Sequence, residues 1–128
     1  YFNVPFKFPA KFPMSTVSAA RAYYWLHGQD SQKARDFARA VFRAYWVDGR
    51  DISDLAVVQE IAAGIGIDGT ALAAGIATPE IKERLKVETD TALAKGMCGA
   101  PYFVVDNEPF WGADRLPQIE KWLQTGGF

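Results

Sequence analysis

The chain has 128 residues, 14 Lys and Arg against 15 Asp and Glu, and a net charge of −1. That length suits one domain, and 49% hydrophobic with 23% charged residues is the composition of a soluble globular protein. There is no basic stripe for nucleic acid, no apolar run long enough to cross a membrane, and too few Cys and His (one of each) for a disulfide framework or a Cys/His metal cluster.

Residues 1–13 lack the continuous apolar core of a secretory signal, and a reducing cytoplasm is the compartment expected. Phe2, Val4, Phe6 and Phe8 alternate, which predicts a strand or extended segment, with Pro5 confining it to a sheet edge. Phe8 to Pro13 reads as an extended loop, because residues before proline resist helix. Ser15 or Thr16 opens a first helix to about His27, with Val17, Ala20, Tyr24 and Leu26 inward and Gly28 as the stop. Asp30-Ser31 opens the clearest helix. Ala34, Phe37, Ala38, Val41, Phe42 and Tyr45 form one stripe at helical spacing, Lys33, Arg35, Asp36, Arg39 and Arg43 fill the other side, and Asp48-Gly49 ends it. Ser53 caps a third helix with Leu55, Val58, Ile61 and Ala62 inward, broken by Gly64 and Gly66. Asp68 caps a short fourth helix through Ala74. Thr78-Pro79 opens a fifth, whose buried face is Ile81, Leu85, Thr89, Ala92 and Leu93, and Lys95-Gly96 closes it.

The C-terminal region changes character. Ala100 precedes a proline, and the Ala100–Pro101 bond is a candidate for the cis form. Tyr102 to Val105 are aromatic or β-branched and predict a strand. A polar turn at Asp106-Asn107-Glu108 returns the chain through Phe110-Trp111. Asp114 then caps a last helix with Leu116, Ile119 and Leu123 inward, ended by Gly126-Gly127. A hairpin plus one helix is marginal by itself in water. The chain also opens on Tyr1 rather than Met, so an incomplete chain is expected. Its organisation reads as an extended lead-in (1–13), a helical block (14–96) and a ββα portion (97–128).

Most chemistry-bearing residues have plain structural readings. Cys98 follows a helix C-terminus, the wrong end of the dipole for a thiolate, and reads as buried or inert. His27 reads as a surface or capping residue. Asp51 and Asp54, like Glu80 and Glu83, suit first turns, and Phe37, Phe42, Tyr45 and Trp46 suit a core. The turn Trp111-Gly112-Ala113-Asp114 differs, because a helix N-terminus attracts anions. Asp114 can cap the helix or meet an ammonium, and Arg115 can hold a carboxylate in a fork. Such a mix suits an α-amino acid moiety, although a simple N-cap with a charged neighbour reads equally from the residues. Beside it, backbone groups at Ala100 can pair with an extended peptide.

Gly99-Ala100-Pro101-Tyr102-Phe103-Val104, followed by Phe110-Trp111-Gly112-Ala113-Asp114-Arg115-Leu116, resembles the C-terminal part of 2-hydroxychromene-2-carboxylate isomerases. These group with kappa-class glutathione transferases in the DsbA-like thioredoxin superfamily. Val4 to Pro9 and Phe12 to Thr16 resemble the family's lead-in to its helical insertion, so the resemblance covers nearly the whole chain. It implies an α/β fold, mostly helical as present: a helical insertion domain plus the C-terminal β-hairpin and helix of a thioredoxin-like fold. It implies glutathione as cofactor, paired by the backbone of Ala100 before Pro101, its γ-glutamyl end held by Trp111, Gly112, Ala113 and Asp114. Pro9, Ala10 and Lys11 would contact a small aromatic substrate, and a homodimer fits the same family. The implied reaction interconverts a hydroxychromene carboxylate and an open-chain benzylidenepyruvate through addition and departure of a glutathione thiolate, with the protein stabilising thiolate and enolate.

The family's N-terminal βαβ half, with the serine that activates glutathione, has no counterpart here. Ser15, Ser18, Ser31 and Ser53 all read as helix-start or helical residues, so no catalytic residue is assigned in this chain. The expectation is a C-terminal portion inactive alone. The alternatives are a DsbA-like thiol oxidoreductase or kappa-class transferase, and a non-catalytic helical binding module.

Overall fold

Aspartates before apolar runs set most of the helix starts in the computed structural model, which describes residues 3–127. Helix α1 (Val17–His27) follows Thr16, whose side chain makes no capping bond. Helix α2 (Ser31–Trp46) is capped by Asp30, which accepts from the N–H groups of Gln32 and Lys33 at 2.8 and 3.2 Å. Those donors, Lys33 first, hold the Asp30 carboxyl below its ordinary range. Helix α3 (Leu55–Ala63) is capped by Asp54, not by Ser53, which lies in the preceding turn. Helix α4 (Gly69–Ala77) is capped by Asp68 and runs three residues past Ala74. It stops where Thr78, restrained by Pro79, turns extended. Helix α5 (Pro79–Ala94) then starts from Thr78, whose hydroxyl accepts from Ile81 N–H at 3.4 Å.

Two compact units divide the chain, Tyr1–Lys86 and Val87–Phe128. In the first, α1 packs on α2 and α4, and α3 packs on α2 and α4. Phe37, Val58 and Leu72 are the largest fully buried side chains. On α1 the buried residues are Ala19, Ala22 and Leu26; Val17 is exposed, contrary to expectation. Two neighbours claim α1, and small side chains allow both to come close. Gly75 of α4 marks the tightest approach, where an added Cβ would run into the Trp25 indole. On α2 the inward set is Ala34, Phe37, Val41, Ala44 and Tyr45, while Phe42 is 63% exposed. Periodicity alone could not separate the flanks of that stripe. No residue of α5 is fully buried: of its expected apolar face Ile81, Leu85 and Ala92 are half-buried, and Thr89 and Leu93 are exposed. A stripe is buried only when a neighbour covers it.

The lead-in forms no strand over residues 3–8; Tyr1 and Phe2 lie outside the described residues. Pro5 and Pro9 offer no N–H, and no strand pairs with the segment. Lys7 N–H donates to the Trp46 carbonyl at 2.6 Å, and the Tyr45 hydroxyl donates to the Lys11 carbonyl at 3.2 Å, which fastens the lead-in to the end of α2.

The second unit is built on a hairpin of β1 (Tyr102–Val105) and β2 (Glu108–Trp111). Tyr102 faces Trp111, and Phe103 faces Phe110. Asp106 and Asn107, at φ +51° and +67°, form the two-residue mirror-type turn that matches strand twist. The turn is thus one residue shorter than expected, with Glu108 already in β2. A 3-10 turn (Ala113–Arg115) leads into α6 (Leu116–Thr125). Asp114 therefore does not cap α6, which starts two residues later with Pro117 in its first turn. Among the described residues of this unit Phe110 and Ile119 are buried, while Leu116 and Leu123 are exposed. Trp122 meets Phe110 edge-to-face at 5.8 Å and donates to Asp106 Oδ2 at 3.0 Å.

Because the Trp25 ring is rigid and lies over Gly75, Gly75→Ala should cost about 1–3 kcal/mol through overpacking. Urea unfolding checks this; an unchanged midpoint would contradict the close α1–α4 approach.

Candidate functional site

The residues singled out around the hairpin come together at its open end. The Ala100–Pro101 peptide is cis. Gly112 N–H donates to the Pro101 carbonyl at 2.9 Å, extending the ladder one step beyond the Tyr102–Trp111 pair. The Tyr102 hydroxyl donates to the Lys95 carbonyl at 3.0 Å and ties down the approach to β1. The Trp111 indole lies over Gly99, where any Cβ would strike its Nε1. Gly112 has φ +107°, and a Cβ there would run into Asp114 Oδ1. Glycine is required on both counts, conformation and space.

Several backbone groups at this end are uncommitted. Among the described residues, neither the N–H nor the C=O of Ala100 has a hydrogen-bond partner, and neither do the N–H groups of Ala113 and Asp114. Arg115 N–H is used by the Gly112 carbonyl at 3.2 Å. The Asp114 carboxylate lies 3.7 Å from Arg115 Nε, both exposed, so this contact contributes little. Ala100, Pro101, Trp111 and Gly112 are thus adjacent, with Ala113 and Asp114 following in the turn. Cys98, read as buried or inert, is exposed.

Pro9, Ala10 and Lys11 belong to the other unit; Pro9 is buried and the other two are exposed. Lys11 Nζ donates to Asp51 Oδ2 at 2.8 Å and to Ser53 Oγ at 3.0 Å. Ser53 in turn donates to Asp51 Oδ1 from its N–H, at 3.0 Å, and from its hydroxyl. The Lys11 ammonium, then the Ser53 donors, hold the Asp51 carboxyl down to about 2. Asp51 is therefore a tether for Lys11 rather than a first-turn carboxylate. Forty residues separate the partners, and no local pattern announced them.

The sequence reading also missed an aromatic surface. Phe6 stacks on Trp46 at 5.6 Å, Phe8 meets Phe12 edge-to-face at 5.2 Å, and Phe12 lies 6.1 Å from Trp46. Phe42 stands outside the core beside them. A cavity of about 460 Å³ opens between α1 and α2, with Tyr23, Tyr24, Phe37 and Phe42 among its walls. A second cleft, about 520 Å³, lies between Val4–Phe6 and the end of α2. The repeated Phe of the lead-in was the available signal, but it was read as strand alternation.

Among the described residues, no helix is long and apolar enough to cross a membrane, and no cluster of three or more His, Cys, Asp or Glu could hold a metal. Residues 1–124 match the DSBA-like thioredoxin domain family, and the chain belongs to it. It carries the thioredoxin-like DsbA fold as a mostly helical α/β chain with a two-stranded sheet. It is 33% identical over 122 residues to the 2-hydroxychromene-2-carboxylate isomerase of Sphingobium xenophagum, covering 95% of this chain and 60% of that protein. It is 24% identical over 135 residues to glutathione S-transferase kappa 2 of Caenorhabditis elegans, covering 96% of this chain and 60% of that one. A solved structure of a 2-hydroxychromene-2-carboxylate isomerase matches with a TM-score of 0.82 at 22% identity, covering 94% of this chain and 58% of that one. The chain thus spans about 60% of the length of these curated relatives.

Two outcomes follow from the geometry. Gly99→Ala should displace the Trp111 indole, seen as a shifted Trp111 side-chain NMR resonance with little change at Trp25. The Asp51 carboxyl should titrate by NMR near pH 2, and Lys11→Met should return it toward 3.8. Its folded value is depressed, so the tether's contribution is present above pH 3.8 and lost as pH falls through about 2.

Proposed function

We propose that this protein is a glutathione-dependent isomerase of the 2-hydroxychromene-2-carboxylate type, acting on a small aromatic substrate. The observation that carries the reading is the uncommitted backbone at Ala100 beside the Trp111–Asp114 turn. That donor and acceptor set suits a tripeptide. The N–H and C=O of Ala100 would pair with glutathione's peptide backbone in the manner of an added strand. The N–H groups of Ala113 and Asp114, with the Arg115 guanidinium, would take a carboxylate. The Asp114 carboxylate would take an ammonium. Trp111, 59% exposed, offers an apolar wall on one side. Gly112 keeps the turn open to close approach, which a side chain at φ +107° would spoil.

When bound, glutathione supplies a thiol nucleophile. The residues named here bind and orient it; none of them is assigned the proton transfer that activates it. The identity to an isomerase over 95% of this chain supports the choice of reaction. The kappa-class relative favours a second reading, in which the same site serves conjugation of glutathione to an electrophile. The cytoplasm, where thiols stay reduced, is the compartment proposed for this chemistry.

Calorimetric titration with reduced glutathione tests the site. Saturable binding is expected, and Gly112→Ala should weaken it about tenfold or more, as lost hydrogen bonds to charged groups do. Absorbance assays with 2-hydroxychromene-2-carboxylate, and with an electrophilic chloronitrobenzene, then separate isomerisation from conjugation. Absence of glutathione binding by the unaltered protein would overturn the proposal.

A further inference from the structure

The stretch that carries Ala100 is held from outside rather than by its own backbone. Before it, the N–H groups of Gly96 and Met97 still bond to the last turns of α5, at the Leu93 and Ala92 carbonyls, 2.9 and 3.1 Å away. After it, the Pro101 carbonyl accepts from Gly112 N–H. Between these points no backbone group of Cys98, Gly99 or Ala100 makes a hydrogen bond among the described residues. Such a stretch samples many conformations unless side chains restrain it.

The restraint comes from one cross-strand pair. Tyr102 and Trp111 are partners across the hairpin, so both rings stand on the same face. Trp111 lays its indole over Gly99. Tyr102 sends its hydroxyl to the other end of the loop, where it donates to the Lys95 carbonyl at 3.0 Å. Gly96 lies against that bond: a Cβ there would stand 3.4 Å from the hydroxyl oxygen. Lys95 and Tyr102 are seven residues apart, so this single bond closes the loop that contains Ala100. The two contacts differ in kind. The indole covers Gly99 as an apolar surface, whereas the hydroxyl bond fixes a distance and a direction. The strand itself has no use for the hydroxyl, since Phe suits a pleated, half-buried position as well as Tyr does. Its partner among the described residues is Lys95 alone.

We propose that Tyr102 is a positioning residue of the peptide-binding edge: its hydroxyl, tied to Lys95, pre-orders the 96–101 loop in the form in which Ala100 pairs with a tripeptide. The inference rests on the glutathione reading and deepens it, because it says what holds the Ala100 N–H and C=O ready. Tyr102 acts through Ala100 and is assigned no contact with glutathione itself. A loop ordered before the ligand arrives need not be ordered by it. A loosened loop lowers the apparent affinity in proportion to the fraction of molecules in the competent form.

Tyr102→Phe tests this, because it removes the hydroxyl and keeps the ring. Calorimetric titration with reduced glutathione should show affinity weakened about three- to tenfold, the range expected for one lost hydrogen bond. Backbone amide NMR relaxation should show lower order parameters at residues 98–100 of the ligand-free variant, with residues 103–105 and 110 unchanged. Saturating glutathione should restore the order at 98–100, which a plain loss of packing would not do. Unchanged order at 98–100, loss of order spreading through the hairpin, or failure of glutathione to restore it would each overturn the proposal. If the unaltered protein binds glutathione and Tyr102→Phe binds it equally well, this inference alone fails. If the unaltered protein binds none, the glutathione reading fails and this inference with it.

Discussion

The hydrogen bond from Gly112 N–H to the Pro101 carbonyl joins the parts of the candidate site. It sits one step past the last strand pair, and it exists only because the mirror-type turn at Asp106-Asn107 sets the register. With that register, Trp111 folds over Gly99, Ala100 lies beside the β2 end, and the Ala113–Arg115 turn starts immediately after. A slip by one residue would turn Trp111 to the opposite face and separate the two halves of the site. The small unit can hold this arrangement with little core, Phe110 and Ile119, because the hairpin is also clamped by Trp122 on Asp106 and Tyr102 on Lys95.

The helical unit is held differently. Its packing relies on small residues: Ala19 and Ala22 on α1, Ala34 and Ala44 on α2, Gly75 on α4. Phe42, on the flank of the α2 stripe, lies outside this packing and stays on the surface. Lys11 is fixed by another long-range contact, with Asp51 and Ser53 receiving its ammonium across a gap in sequence of forty residues. These features answer to tertiary structure, and each lies where a local reading of the chain went astray.

Local chemistry was legible where a few adjacent residues decide the outcome. Asp30 and Asp68 cap the helices assigned to them, because a carboxylate two or three residues ahead of bare N–H groups needs no distant partner. The strand at Tyr102–Val105 and the glycine stop at Gly126 were equally readable, whereas the Ala100–Pro101 bond was a cis candidate that only the structure decided. Family membership was readable too, from the Gly99–Val104 and Phe110–Leu116 motifs, and residues 1–124 match that family. Ser53 and Asp114 show the limit. Each stands one or two residues before the true helix start, where several polar residues compete and the winner depends on backbone direction.

What the sequence determined by itself was the helices, the hairpin and their order, since caps, turns and periodicity act within a few residues. Tertiary structure alone decided which side of each helix is buried. The α5 stripe is only half-buried, the Phe42 ring belongs to a helical stripe yet faces outward, and Val17 gives way to Ala19. Burial is a property of two surfaces meeting, and one strip of sequence describes only one of them. For the same reason the Pro101–Gly112 contact and the cleft between Val4–Phe6 and the end of α2 became visible only when segments apart in sequence lay side by side.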